Sequence, residues 1–192
     1  MKKSRAQVWS IVGVMFVVTL VSAILLTYVY NLTKQPIKEA QNRIIAESIN
    51  SVITTEFDNN PFAEKIIVKS GRERYALYPA RKDGYVTSIV MKSFSNKGFG
   101  GRMDVIVGFM LDGTISGYRV INHKETPGLG SKVNDNSFSK NIIGHSPSLK
   151  SFNVKQDGGD VDAITGATIS SRALIDAIQK AYRGYVKFNT GN

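Results

Sequence analysis

The chain has 192 residues, a formal net charge of +10 and no cysteine. With one membrane segment set aside, this length leaves room for a single soluble domain of ordinary size. The absence of cysteine excludes disulfides, thiolate metal sites and cysteine nucleophiles, and two histidines, His123 and His145, leave little for a metal site or a histidine-based catalytic site. The basic residues form no dense run with interleaved aromatics, so we expect no nucleic-acid binding and attribute the charge to solvated surface or to attraction to anionic lipid headgroups.

An apolar segment near the N-terminus predicts a membrane anchor. No charged residue occurs from Ala6 to Thr33, and we place a transmembrane helix at residues 8–30 after a short tail at residues 1–7. At about 1.5 Å per residue, a helix of this length spans a hydrocarbon core of about 30 Å. The competing interpretation is a cleaved signal peptide, since Val21-Ser22-Ala23 resembles a cleavage site. Apolar residues continue well past that point, so we favour a retained, single-pass anchor.

The charges that flank this segment leave its orientation nearly balanced. The flanking basic residues are Lys2, Lys3 and Arg5 on one side, and Lys34, Lys38 and Arg43 on the other. The positive-inside rule counts Lys and Arg in short flanking segments, and here the two counts are equal. The N-terminal cluster is tighter and adjoins the α-amino group, which slightly favours a cytoplasmic N-terminus.

Residues 31–60 are expected to form a membrane-proximal helix and linker. We expect the helix to run from Pro36 to about Glu56, because proline is favoured in a first helical turn and apolar residues recur along one face. Asn59-Asn60-Pro61 then breaks the pattern.

Residues 61–192 are expected to form a single α+β domain with a largely antiparallel, twisted sheet and flanking helices. The predicted strands are Lys65–Val68, Tyr75–Tyr78, Tyr85–Phe94, Arg102–Leu111, Thr114–Ile121 and a short one near Phe152–Val154. Alternate residues from Met103 to Leu111 form one apolar face, and Asp112-Gly113 is a strong hairpin turn. Gly108 and Gly117 are unusual inside strands and indicate close packing or a bulge.

A helix is expected from Arg172 to Phe188, where apolar residues recur at helical spacing. Ser170 and Ser171 are good N-cap types for this helix, which places Thr168 in a tight turn just before a helix N-terminus. Backbone donors and the helix dipole make such a position favourable for a phosphate. On general preferences alone, however, an ordinary cap and turn would account for these residues.

The order of residues from Asp162 to Thr168 is more specific than a turn. It matches D-x-x-S/T-G-A-T, the signature of proteins that carry FMN on a threonine through a phosphoester bond. Within this signature, Gly166 and Ala167 keep the turn small enough for a bulky group to approach the backbone. Two further matches lie upstream, at residues 123–130 and 98–101.

Together with the anchor, these stretches make the chain resemble the G subunit of the Rnf electron-transport complex, an ion-translocating ferredoxin:NAD oxidoreductase. It is more distantly similar to the C subunit of the sodium-pumping NADH:quinone reductase. The resemblance is dense from about Gly84 to Tyr185 and thin from Met1 to Arg81. The chain departs from the family pattern at Thr165, where serine is frequent, and at Phe99, where tyrosine is common.

The resemblance implies an FMN-binding domain over residues 61–192, with FMN esterified through its phosphate to Thr168. A separate flavin transferase would use FAD as donor and release AMP, so Thr168 is an acceptor and no residue is assigned a catalytic role. The implied cofactor-binding residues are Asp162, Thr165, Gly166, Ala167 and Thr168 in the signature, and Glu125, Thr126, Gly128, Leu129 and Gly130 upstream.

The upstream loop, from Glu125 to Gly130, is expected to form the second wall of the site. Gly128 and Gly130 let the backbone approach a flat ring, Leu129 can cover the isoalloxazine, and Thr126 can bond its polar edge.

Two acidic residues keep alternative interpretations. Glu125 could be a plain surface carboxylate, and Asp162 could form an Asx-type turn or assist the transferase. A cation near the ring or the phosphate would favour reduced, anionic flavin. The candidates for that cation are Lys124, Lys132 and Arg172.

The function that the resemblance implies is electron transfer by a membrane-anchored flavoprotein, the redox subunit of a translocase, with no turnover from the isolated subunit. Its partners would be the other subunits of the complex, the flavin transferase during maturation and membrane lipid. The resemblance puts the domain outside the cytoplasm, on the periplasmic side of the cell membrane. The alternatives are the C subunit of the sodium pump, a freestanding extracytoplasmic flavin carrier, or an anchored binding domain without a cofactor.

Overall fold

The computed structural model describes residues 2–70, 73–148 and 152–190. The chain divides into two compact units, residues 1–43 and residues 44–192. Helix α1 (Lys2–Val52) supplies the first unit, and its last turns, from Ile44 onward, belong to the second.

The first unit is helical and carries exposed apolar side chains, among them Trp9, Phe16 and Tyr28. With a mean hydropathy of 2.5 over an 18-residue window, α1 is the one helix among the described residues that is long and apolar enough to cross a membrane. This helix is consistent with the predicted single-pass anchor.

The prediction of a separate helix from Pro36 to Glu56 is wrong at both ends. Pro36 lies inside α1, and the helix ends at Val52. A proline has a φ close to the helical value, so it fits a first turn and, with the loss of one backbone hydrogen bond, also a helix interior. The sequence alone does not distinguish these two positions.

A five-stranded antiparallel sheet with the strands in chain order forms the centre of the second unit. Its strands are β1 (Ile66–Ser70), β2 (Glu73–Lys82), β3 (Tyr85–Gly98), β4 (Gly101–Met110) and β5 (Ile115–Asn122). All five correspond to predicted strands, β2 and β3 being several residues longer than predicted. The turn between β4 and β5 includes Gly113 with a φ of +85°, as the predicted hairpin requires. The α+β class with a largely antiparallel sheet is therefore confirmed.

Helix α3 (Thr168–Asn189) covers one face of the sheet. The predicted apolar row of β4 is fully buried there against α3 residues such as Leu174 and Tyr185. Leu111 is the exception: it lies in the turn beyond the end of β4 and is 53% exposed, so its predicted place on the buried face is wrong. Its carbonyl oxygen accepts a hydrogen bond of 2.7 Å from the Tyr185 hydroxyl.

The C-terminal end of α1 packs on the opposite face through a second core cluster that includes Ile49 and Val52. Gly108 and Gly117 pair across β4 and β5 at this place. A Cβ on Gly108 would lie 2.5 Å from the carbonyl oxygen of Val52, which accepts a 2.7 Å hydrogen bond from the Ser116 hydroxyl. The predicted close packing at these glycines is therefore confirmed, and both faces of the sheet are covered.

Between β5 and α3, the described residues include two 3₁₀ helices (Gly130–Asn134 and Lys155–Asp157) and the one-turn helix α2 (Asn136–Ser139). The predicted strand near Phe152–Val154 is wrong, because Val154 forms only an isolated parallel bridge with Val161. Val161 of this bridge directly precedes the stretch from Asp162 to Ala167 that leads into α3.

Candidate functional site

A cavity of about 360 Å³ lies where the β3–β4 turn, the loop after β5 and the start of α3 meet. Its lining residues are Phe99, Glu125, Thr126, Leu129, Gly130, Gly166, Ala167, Thr168, Ile169 and Ser170. The volume falls within the range of about 300–1,000 Å³ that small-molecule sites occupy. The fold therefore brings together the three stretches that the sequence analysis singled out.

Thr168 is the first residue of α3 rather than a residue of the preceding turn. The N-cap is Ala167, which forms no side-chain cap hydrogen bond. The predicted N-caps are therefore wrong: Ser170 and Ser171 lie inside the first turn and a half of the helix. The hydroxyl of Ser171 donates to the Ala167 carbonyl and accepts from the Ile164 N–H, both at 3.0 Å. The first turn of α3 thus lines the cavity without a side chain that caps it.

The turn before α3 brings the two predicted walls into contact. The Ala167 N–H donates to the Ile164 carbonyl at 2.9 Å, and Gly166 has a φ of +77°. This conformation favours glycine. A Cβ on Gly166 would lie 3.5 Å from Cδ2 of Leu129, so the Leu129 side chain of the upstream loop lies close to the signature.

The upstream loop is held by its own backbone. The Thr126 carbonyl accepts N–H groups of Leu129 at 3.2 Å and Ser131 at 3.3 Å, while the Gly128 N–H donates to the Ser131 hydroxyl at 2.9 Å. Gly128 has a φ of +75°, with no atom within 4 Å of where a Cβ would be. Its backbone conformation, rather than crowding, therefore requires glycine here.

Glu125 is buried, with 6% of its surface exposed, so the alternative of a plain surface carboxylate is wrong. Its Oε2 accepts a 2.5 Å hydrogen bond from the hydroxyl of Ser170, and its Oε1 accepts a 3.3 Å bond from the N–H of Gly100. One carboxylate therefore joins the loop that follows β5, the β3–β4 turn and the first turn of α3.

Two glycines leave the space that this carboxylate occupies, and a third allows the β3–β4 turn to pack against the chain beside it. A Cβ on Gly98 would overlap Oε1 of Glu125, and a Cβ on Gly130 would lie 2.5 Å from the Ser170 hydroxyl and 2.8 Å from the Glu125 carboxylate. A Cβ on Gly100 would overlap the carbonyl oxygen of Lys124. The glycine-rich β3–β4 turn thus serves the close packing of three segments.

Three of the sequence-predicted site residues lie outside the cavity lining. The Asp162 side chain forms an exposed ion pair of 2.7 Å with Lys155, Thr165 is exposed, and Gly128 lies beside the lining loop. The lining residues absent from the predicted set are Phe99, Ile169 and Ser170. Phe99 lies within one of the matched stretches. Ile169 and Ser170 were not predicted because the helix was expected to begin only at Arg172, whereas it begins at Thr168.

The cavity has an unusual electrostatic balance. Among the described residues, the lining includes neither Lys nor Arg, and Glu125 is its one charged side chain. Of the three predicted cations, Arg172 binds Asp157 through two hydrogen bonds of 2.6 and 2.7 Å, which raise the pKa of the guanidinium and lower that of the carboxyl. Lys124 and Lys132 are exposed outside the lining. The N-terminus of α3 contributes the positive end of its dipole to the cavity.

The comparison with protein families defines the class of the domain. Residues 98–183 match the FMN-binding domain, and this range contains all three stretches that meet at the cavity.

The comparison with individual proteins is more specific. The chain is 33% identical over 172 residues to the G subunit of the ion-translocating oxidoreductase complex of Vibrio cholerae serotype O1, covering 84% of this chain and 82% of that one. It is 35% identical over 176 residues to the corresponding protein of Vibrio atlanticus, covering 86% and 83%. The chain belongs to the family formed by the G subunits of ion-translocating oxidoreductase complexes, so the predicted resemblance is confirmed. The crystal structure of NqrC from Shewanella oneidensis is similar with a TM-score of 0.49 and 24% identity, over 62% of this chain and 60% of that chain.

Proposed function

We propose that this chain is the membrane-anchored electron-transfer subunit of an ion-translocating oxidoreductase complex and carries FMN covalently on Thr168. The observation that carries the proposal is the position of Thr168 in a helical first turn that has no side-chain cap and lines the cavity. The family match to an FMN-binding domain supplies the identity of the cofactor.

The residues present fit such a group. A phosphate ester on Thr168 would lie at a helix N-terminus, where free N–H groups and the helix dipole favour an anion. The apolar side chains of Phe99, Leu129 and Ile169 line the same cavity and offer surface to a flat ring, while Thr126 offers a polar group to its edge. Bound FMN supplies the redox chemistry, and the protein supplies its orientation, its electrostatic surroundings and its exposure.

Attachment of FMN requires that the Thr168 side chain be accessible to a flavin transferase. Its side chain is only partly buried, and the cavity beside it is open to solvent, so a flavin transferase has access. In the transfer, a bond forms between Oγ1 of Thr168 and the FMN phosphorus of FAD. The pyrophosphate bond breaks, AMP leaves, and the hydroxyl proton is released.

The test is Thr168→Ala in the full-length chain, coexpressed with a flavin transferase. Intact-mass spectrometry should show an FMN-sized increment on the parent and none on the variant. Thr165→Ala is the matched control, because this hydroxyl lies three residues away and outside the cavity lining; it should keep the increment at a lower yield. An FMN increment that persists on Thr168→Ala contradicts the attachment site, and its absence from the parent contradicts covalent flavin altogether.

We further propose that residues 61–192 lie outside the cytoplasm, with the N-terminus inside. The flanking basic residues are equal in number, so the positive-inside rule does not decide the orientation. The proposal therefore rests on family membership. A phosphatase that is active only in the periplasm, fused after the C-terminal residue, should be active. Activity of a cytoplasm-only reporter at the same position would reverse the orientation.

A further inference from the structure

The Glu125 carboxylate is buried and lines the cavity. Within the part of the chain that the structure describes, its partners are the Ser170 hydroxyl and the Gly100 N–H, and no ion pair includes it. A buried carboxylate is costly unless hydrogen bonds or a counter-charge satisfy it. Here hydrogen bonds perform that role, and the charge itself remains beside the cavity.

The shorter of these hydrogen bonds involves Ser170, which lies two residues after Thr168 in α3. Ser170 is 2% exposed, and its hydroxyl lies 2.5 Å from Oε2 of Glu125 across 45 residues of sequence. The backbone of Gly130 packs closely against both partners, since a Cβ on this residue would overlap the Ser170 hydroxyl and the Glu125 carboxylate. The first turn of α3, which carries Thr168, is thus tied to the upstream loop by a hydroxyl–carboxylate bond, in addition to the bonds of Ser171 to the turn before the helix.

We infer that Glu125 is the positioning residue of the flavin site: through Ser170 it helps to hold Thr168 in the orientation needed for modification, and its negative charge, which forms no ion pair among the described residues, opposes reduction of the attached flavin. This inference rests on the proposed function, because it concerns FMN on Thr168. It changes the role of Glu125 from a flavin ligand to a residue that acts through another side chain and through its charge.

The positioning effect predicts how fast the chain is modified. Purified flavin-free full-length protein, mixed with transferase and FAD, is followed by intact mass over time. Ser170→Ala and Glu125→Ala should each slow modification by about tenfold to a hundredfold, because small misplacements of a reacting group have effects of that size. The double variant should be no slower than the slower single variant, since both remove the same interaction.

Ser95→Ala is the matched control. Ser95 is also fully buried and donates its hydroxyl, at 2.7 Å, to a carboxylate that links the sheet to α3, that of Asp176, but neither residue lines the cavity. The control should be modified at the parental rate even if its melting temperature falls as much as that of Ser170→Ala. Parental modification of Ser170→Ala, or equal slowing by Ser95→Ala, would overturn the positioning role.

Glu125→Gln separates the hydrogen bond from the charge. Its amide oxygen can still accept from Ser170, and only the longer bond from the Gly100 N–H is lost. Modification should therefore recover most of the parental rate, whereas loss of the charge should raise the reduction potential of the attached flavin. Ser170→Ala, which keeps the charge, should leave the potential close to the parental value. An unchanged potential in Glu125→Gln overturns the electrostatic role. Failure of the parent to acquire flavin on Thr168 instead counts against the proposed function.

Discussion

Two hydroxyl–carboxylate bonds attach α3 to the rest of the domain, and they lie at very different places. The first joins Ser170 in the first turn to Glu125 in the loop after β5. The second joins Asp176, fewer than two turns further along the helix, to Ser95 of β3. Both hydroxyls belong to buried serines, so the two contacts are chemically alike.

Their carboxylates differ in what neutralises them. Asp176 forms ion pairs with Lys97 at 2.7 Å and Lys180 at 3.1 Å. Burial opposes its ionisation, but the hydrogen bonds from Lys97, Ser95 and Lys180 outweigh that effect and lower the pKa of Asp176. Glu125 lines the cavity and forms no ion pair with any of the residues that the structure describes. Two lysines thus pair with the carboxylate at the middle of the helix, whereas no described Lys or Arg pairs with the carboxylate beside the proposed cofactor site.

The largest expected effect comes from crowding the cavity end of α3. A Cβ in Gly130→Ala would lie 2.5 Å from the Ser170 hydroxyl and 2.8 Å from the Glu125 carboxylate, so one of these groups must move. Overpacking of this kind costs about 1–3 kcal/mol. We expect a lower unfolding free energy in urea, measured by circular dichroism on the detergent-solubilised chain, together with a lower yield of covalent flavin.

Gly184→Ala is the control at the opposite end of the same helix. A Cβ there would meet Cε of Met91, the end of a flexible side chain, at 2.5 Å and the ring of Tyr75 at 3.2 Å, so both must shift slightly. The greater helix propensity of alanine, about 1 kcal/mol over glycine, offsets the crowding. The unfolding free energy should therefore change little and the flavin yield not at all. Equal losses in the two variants would show that the cavity end is no more closely packed than the rest of α3.

The sequence was sufficient to predict what depends on local pattern. The alternation along β4 and the Asp112-Gly113 turn predicted the central hairpin to within about a residue, although β4 is buried on both faces. The family signature predicted Thr168 and the loop from Glu125 to Gly130, and the structure brings both to one cavity.

What the sequence did not predict depends on contacts between distant residues. Ser170 and Ser171 are residue types that cap helices, so the helix was expected to begin after them; in the structure Ser170 instead binds Glu125, 45 residues away. Neither residue has a local pattern that would reveal this bond. The predicted helix start at Pro36 was wrong for a related reason, because one φ value suits both the start and the interior of a helix.

Leu129→Ala tests whether the cavity end acts on the cofactor as well as on stability. Leu129 is 44% exposed, so its truncation should cost the flavin-free chain roughly 1 kcal/mol, part of the 1.5–3 kcal/mol of a fully buried leucine. The larger change should be in the attached flavin, whose absorbance spectrum and potential should shift as the ring becomes more exposed. If neither shifts relative to the parent, the loop does not cover the ring.

The smallest expected effect, and the sharpest contrast, comes from Asp176→Asn. The amide can still accept from Ser95 but loses its attraction to Lys97 and Lys180, which are partly exposed pairs worth about 0.5–1 kcal/mol in total. Because the folded-state pKa of Asp176 is lowered, its contribution is fully present above its ordinary value of 3.8 and is lost as the pH falls through the folded-state value. The parent should therefore be more stable than the variant at pH 7, and the difference should shrink below about pH 4.

Urea unfolding at several pH values measures this difference, and the flavin potential of the variant should match the parental one at pH 7. If the reduction potential of the flavin shifts as much in Asp176→Asn as in Glu125→Gln, the location of Glu125 at the cavity does not explain its effect on the potential.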